Sequence, residues 1–246
     1  MSRKPVLLVI AHGSRDPRHA ATVHALVRRV RSLRPDVRVE TGFLDFNIPS
    51  VQGVLESLAA QGVRDVVALP LLLTRAFHAK ADIPAVLRDA PPQLRIRQAE
   101  VLGPSPLLMA TLERRLYEAG LTPADKSSTG VVLASAGSTD PEAIAVIAEI
   151  AREWRHTGWC AVRPAFASAS LPRTEDAVRE LRELGCERVA VAPYVLAPGF
   201  LPDRIARGAA EADVLADVLG PAPEVARLLL ERYEAARMPV LAAVGA

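Results

Sequence analysis

Short runs of valine, isoleucine and leucine alternate along this chain with longer stretches whose apolar residues recur at helical spacing. Pro5–Ala11 is apolar throughout and predicts a first strand, followed by a polar turn and a helix over about Ala20–Leu33. Val37–Leu44 predicts the second strand. Pro49–Gln61 carries Val51, Val54, Leu55 and Leu58 on one face, which predicts a helix with Gly62 at its C-terminal cap. Asp65–Leu71 reads as the third strand, Asp82–Arg88 as a short helix, Leu94–Ala99 as the fourth strand and Ser105–Glu118 as the fourth helix. Strands that are apolar at every position belong in a parallel sheet covered by helices on both faces.

Leu121–Ser128 is polar and reads as a linker, after which the pattern restarts. Val131–Ser135 matches the first strand, and Ala136-Gly-Ser-Thr-Asp-Pro141 matches His12-Gly-Ser-Arg-Asp-Pro17. Phe43 through Pro70 aligns without a gap on Phe166 through Pro193, pairing Pro49 with Pro172 and Gly62 with Gly185. Leu102-Gly103-Pro104 returns as Leu219-Gly220-Pro221. Correspondences ordered along the whole chain predict a tandem duplication of a four-stranded α/β unit, with flavodoxin-like layering and a cleft between the copies. The expected units are residues 1–120 and 129–246.

The duplication also separates chemistry from folding. His12 falls on Ala136, His78 on Leu201 and Asp45 on Ser168, while the shared glycines and prolines keep the backbone. In an open parallel sheet, side chains at the carboxyl ends of strands face the crevice where ligands bind. His12 follows the first strand, Asp45 closes the second and His78 lies in the loop after the third. Two neutral imidazoles and a carboxylate suit a first-row divalent metal with coordination positions left open, and imidazole accepts a proton near neutral pH. A lone histidine at a strand end is more often a satisfied loop residue; two with an acid at corresponding ends shift the balance toward a site in the first unit. His19, His24 and His156 are weaker candidates, with His19 read as a solvated helix residue. Arg15 and Arg18 follow the first histidine, and Arg75 and Lys80 flank the second. These are either solvated loop charges or receivers for the carboxylates of an anionic substrate, with Ser14 beside them.

Composition narrows the class. The chain has 246 residues, 50% of them hydrophobic, only 4% aromatic, and a net charge of +2, which with no basic run interleaved with aromatics argues against nucleic acid. Cys160 and Cys186 lack Cys-x-x-Cys spacing, which argues against an iron–sulfur or thiolate zinc site and predicts buried core thiols. No apolar run approaches the roughly 18 residues of a membrane span, and Met1–Pro5 leads straight into a strand, so a soluble cytoplasmic protein is expected. Dinucleotide, P-loop and nucleophile-elbow motifs are all missing.

His-Gly-Ser-Arg-Asp-Pro after the first strand, Phe43-Leu-Asp45 with Pro49-Ser50 after the second, and Pro70-Leu-Leu-Leu with His78-x-x-x-Asp82-Ile-Pro84 after the third resemble the class II chelatases. Within these the chain is similar to the two-unit sirohydrochlorin chelatases. The resemblance implies a lyase inserting a divalent metal, Fe2+ or Co2+ as substrate, into a sirohydrochlorin-type tetrapyrrole for siroheme or cobalamin. No organic cofactor is implied. His12 and His78 become the metal-binding and proton-accepting pair, with Asp45 assisting where the family usually has Glu. The stretch before His78, Thr74-Arg75-Ala76-Phe77, replaces a usually glycine-containing one, and the histidine-rich segment and cysteine-rich tail of some cobalt-associated members are missing. Iron and a monomer are the favoured expectations. The alternatives are a metal or tetrapyrrole carrier without turnover and, more distantly, phosphoryl transfer through His12.

Overall fold

A computed structural model of the protein describes residues 4–75 and 82–237. The first half runs β1 (Val6–Ala11), α1 (Pro17–Leu33), β2 (Val39–Phe43), α2 (Val51–Ala60), β3 (Asp65–Pro70), α3 (Ile83–Arg88), β4 (Arg95–Gln98) and α4 (Pro106–Glu118). The second half runs β5 (Thr129–Ser135), α5 (Pro141–Arg155), β6 (Ala161–Phe166), α6 (Thr174–Glu183), β7 (Arg188–Tyr194), α7 (Phe200–Gly208), β8 (Val214–Leu215) and α8 (Pro223–Arg237). They form two four-stranded parallel sheets ordered β2-β1-β3-β4 and β6-β5-β7-β8.

Local chemistry sets the element ends. The Asp16 carboxylate accepts from the Arg18 backbone N–H and Pro17 occupies the first helical position, so α1 begins three residues earlier than its apolar stripe indicates. Asp140 and Pro141 start α5 in the same way. The polar linker is itself ordered: Pro123–Ser128 forms a 3-10 turn, with the Asp125 carboxylate accepting from the Thr122 N–H and hydroxyl. Backbone conformations repeat between the halves: Gly13 and Gly137 have φ +95 and +93, Phe46 and Ala169 both +60, and the peptide bonds before Pro49 and Pro172 are both cis.

Packing is less separable than the repeat. α8 lies on β3 and β4 of the first sheet and against α1, while α4 lies on β7 of the second sheet and against α8. Each half therefore lends its last helix to the other. One large core contains Leu7, Val9, Val67 and Leu69 of the first sheet together with Val131, Leu133, Ala190 and Ala192 of the second. The outer faces have separate cores, under α2 and α3 on the first sheet and under α6 and α7 on the second. Polar links follow the exchange. The Tyr233 hydroxyl donates to the Pro5 carbonyl (2.7 Å), Arg232 to the Val101 and Leu102 carbonyls (2.9 and 3.1 Å), and Arg115 to the Leu219 carbonyl (3.0 Å). Among the described residues, no helix is long and apolar enough to cross a membrane.

Candidate functional site

The parallel register of β1 and β2 pairs Ala11 with Phe43, so His12 and Asp45 leave the sheet side by side. The Asp45 N–H donates to the His12 carbonyl (2.9 Å). Gly13 follows with a positive φ, and a Cβ there would lie 1.8 Å from the Asp45 carbonyl oxygen; only glycine lets the two loops meet this closely. The Asn47 side-chain oxygen accepts from the Ser14 N–H (2.8 Å) and completes the clasp. Next to it the Phe46 ring centroid stands 6.4 Å from that of His12, with the Arg15 guanidinium 5.1 Å from the Phe46 centroid.

The other expected site residues divide. Asp45 is exposed, and one of its carboxylate oxygens accepts from the Phe46 N–H (3.2 Å). Ser14 Oγ accepts from the Asp16 N–H (3.0 Å), as Ser138 Oγ does from the Asp140 N–H (3.0 Å), so this hydroxyl serves a turn that both copies contain. Arg18 contacts two carboxylates, Asp16 on its own loop (2.6 Å) and Asp203 on α7 (2.7 Å), and is largely neutralised where it stands. Arg75 is exposed and ion-paired with Glu100. Arg15 makes no ion pair among the described residues and lies over the Phe46 ring near His12. His78 and Lys80 lie outside the described residues. Among the described residues no three metal-ligating side chains form a cluster.

His19 departs from the solvated reading. It is half-buried, and its pKa is lowered, first by burial and then by the charge of nearby His12. Its Nδ1 is buried with no hydrogen-bond partner among the described residues. In the repeat, His19 falls on Ala143, so a further histidine is kept in one copy only. The cysteines also differ from expectation: Cys186 is buried, but Cys160 is exposed, with its sulfur 3.5 Å from that of Cys186. His24 packs edge-on against Phe43 and His156 is exposed.

A largely apolar cavity of about 250 Å³ separates the loop after β3 from the carboxyl edge of the second sheet. Leu71 and Leu73 line one side; Ala136, Ile147, Phe166 and Tyr194 line the other. The Tyr194 hydroxyl is buried there with no hydrogen-bond partner among the described residues, and burial raises its pKa. The second unit thus carries small and apolar groups where the first carries imidazole and carboxylate.

Comparison with known proteins matches the doubled fold. The CbiX family model matches residues 6–119 and, a second time, 130–236. A sirohydrochlorin cobaltochelatase of Priestia megaterium is 30% identical over 206 residues, spanning 81% of this chain and 66% of that protein. A sirohydrochlorin ferrochelatase of the same organism is 28% identical over 204 residues, spanning 81% of this chain and 76% of its own length. Among solved structures, SirB from Bacillus subtilis with Fe3+ superposes with a TM-score of 0.81 at 25% identity, covering 95% of this chain and 96% of that one. A doubled α/β unit matched twice over by one family model, on the fold of SirB, makes this chain a member of the CbiX family.

Proposed function

We propose that this chain is a sirohydrochlorin chelatase, a lyase that inserts Fe2+ or Co2+ into the tetrapyrrole and releases the two pyrrole N–H protons. The observation that carries the reading is His12, an imidazole held at the carboxyl edge of β1 by a loop whose backbone the second unit reproduces around Ala136. A ligand-type side chain present in one of two equivalent loops is not there for folding. Neutral imidazole binds a divalent ion without trapping it, as clustered thiolates would, and accepts a proton once the metal has been passed on.

In this reading His12 and His78 take the metal and the pyrrole protons, and Asp45, exposed beside His12, supplies negative charge where the cation arrives. Arg15 and Lys80 meet carboxylates of the tetrapyrrole. The apolar second-unit wall around Phe166 and Tyr194 faces the macrocycle. One chain supplies both walls of the cleft, which supports a monomer. A substrate bearing many carboxylates does not cross a bilayer unaided, which supports a cytoplasmic enzyme.

The test is absorbance of sirohydrochlorin with purified protein, titrated separately with Fe2+, Co2+ and Ni2+. Catalytic turnover with Fe2+ or Co2+ is expected, with a fall of at least about 100-fold for His12→Ala. Stoichiometric binding without turnover would make the protein a carrier. Turnover unaffected by His12→Ala would remove the reading.

A further inference from the structure

Phe46 has the wrong chemistry for its place unless something covers it. It is a bulky residue at φ +60, a left-handed conformation that costs a side chain with a Cβ and that few aromatics adopt. It is also 54% exposed, in a chain with few aromatic residues. The second unit serves as an internal control. Ala169 occupies the same turn with the same φ, so the fold needs the backbone conformation but not the ring. The substitutions run in parallel here: His12 against Ala136, Arg15 against Thr139, Phe46 against Ala169. The ring therefore varies with the site's polar chemistry and not with the shared architecture.

Its surroundings name the occupant. The Phe46 ring is tilted 38° to the His12 imidazole at 6.4 Å, and the Arg15 guanidinium sits 5.1 Å from the ring centroid. The guanidinium lies over one face of a ring that is more than half exposed next to a candidate metal-binding imidazole, so the loop presents an apolar surface with an anion contact beside it. A flat conjugated macrocycle with peripheral carboxylates matches both parts. Ile48, 88% exposed, lies two residues further along the same loop. On the second unit, Leu171 and Phe200, 73% and 69% exposed, stand at the corresponding carboxyl edge.

We infer that Phe46 is a positioning residue for the tetrapyrrole: the ring face that Arg15 does not cover stacks on the macrocycle and aligns the pyrrole nitrogens with His12, while Arg15 holds a peripheral carboxylate. This rests on the chelatase reading above. It assigns Phe46 a role in substrate affinity and orientation and none in metal binding.

The experiment compares wild type, Phe46→Ala and Phe46→Trp in three measurements: melting temperature, Co2+ titration of the protein alone, and sirohydrochlorin binding without metal. Because Ala169 already accepts this backbone, Phe46→Ala is expected to melt with wild type and to bind Co2+ as wild type does. Its sirohydrochlorin dissociation constant and KM should rise by about 10-fold, the size of one aromatic stacking contact, and Phe46→Trp should restore both. Unchanged sirohydrochlorin affinity in a folded Phe46→Ala protein overturns the inference and leaves the chelatase reading standing. Loss of Co2+ affinity in that variant also overturns it, since Phe46 would then act through His12. Wild type that neither binds nor metallates sirohydrochlorin removes the chelatase reading, and this inference falls with it.

Discussion

Arg18 and Asp203 join the two units across the cleft: the guanidinium that braces Asp16 at the start of α1 also contacts the Asp203 carboxylate in the first turn of α7, at 2.7 Å. Both side chains are about half exposed, so the pair contributes little to stability and its main effect is on charge at the cleft mouth. Arg18→Ala leaves Asp16 and Asp203 unneutralised in front of an anionic substrate. It should raise the KM for sirohydrochlorin, with the defect shrinking as salt is added. Asp203→Asn leaves Arg18 paired with Asp16 alone and removes one negative charge from the cleft mouth, so it should lower that KM or leave it unchanged, with melting temperature near wild type for both. Steady-state kinetics at low and high ionic strength check the opposite signs; a matching rise in both variants would mean that the pair positions the units and not the charge.

Gly13 and Gly137 make the same contact in the two halves, with an added Cβ meeting the carbonyl oxygen of Asp45 at 1.8 Å or of Ser168 at 1.9 Å. Each Gly→Ala change imposes a left-handed φ and a backbone clash, costing more than about 2 kcal/mol and lowering the melting temperature by roughly 5–10 °C. Their functional effects should differ. Assayed well below its transition, Gly137→Ala should keep most of its activity per folded molecule, because that loop has Ala136 where the first unit has His12. Gly13→Ala pushes Asp45 away from His12 and should lose most of its activity at the same temperature. Equal activity losses would place chemistry in the second unit as well.

Much of this was legible in the chain. The β1 and β5 motifs, the positive-φ glycines and the alternating apolar runs each have a local physical cause, and local causes survive in a single sequence. The start of α1 was displaced because capping by Asp16 and Pro17 outranks the first apolar residue of the stripe. His19 was readable through its partner Ala143, but its burial depends on the loop folding back beside His12, which periodicity does not encode. Phe46 gave no periodic signal, since its meaning lies in exposure. The exchange of α4 and α8 was not legible at all. An amphipathic stripe such as Leu108, Leu112 and Leu116 demands a sheet to cover but does not say which of two similar sheets it will find.

The ordered linker supplies a pH prediction away from the site. Lys126 in the 3-10 turn pairs with Glu113 on α4 (2.5 Å), and the Tyr117 hydroxyl donates to the same carboxylate (2.6 Å). Burial by itself raises the Glu113 pKa, but the Lys126 and Tyr117 contacts outweigh it and the net shift is downward. A depressed carboxylate pKa contributes stability above the unfolded value of about 4.3, and that contribution is lost as pH falls through the folded value. Wild type should therefore lose stability on acidification below about pH 5 more steeply than Glu113→Gln. At neutral pH the variant should be less stable by on the order of 1 kcal/mol, because part-buried Lys126 loses its charged acceptor and keeps only the Thr157 carbonyl (3.2 Å) and the Trp159 ring. Chemical denaturation at pH 7 and pH 4 measures both. A variant that parallels wild type at both pH values would show that the pair contributes nothing.

The helix exchange predicts that the first unit cannot stand alone. In the full chain the inner face of the first sheet, with Val67 and Leu69 fully buried, is covered by α1 and by α8 from the far end of the chain. A polypeptide of residues 1–121 has no α8, and its own α4 presents Leu108, Leu112 and Leu116 to a second sheet that is missing. Baring these side chains costs about 1.5–3 kcal/mol for each one left exposed, against a total stability of about 5–15 kcal/mol. The fragment should therefore be unfolded at low concentration. As concentration rises it should form a dimer in which each α4 takes the place that α8 holds in the full chain, since the Leu-Gly-Pro lead-ins at 102–104 and 219–221 correspond. Adding a 122–246 polypeptide should drive formation of a one-to-one complex with near full-length helical content. Sedimentation equilibrium and circular dichroism across a concentration series distinguish these states. A fragment that sediments as a monomer and melts cooperatively near the full-length temperature would show that α8 is dispensable to the first sheet, and the exchanged helices would then be an incidental feature of the packing.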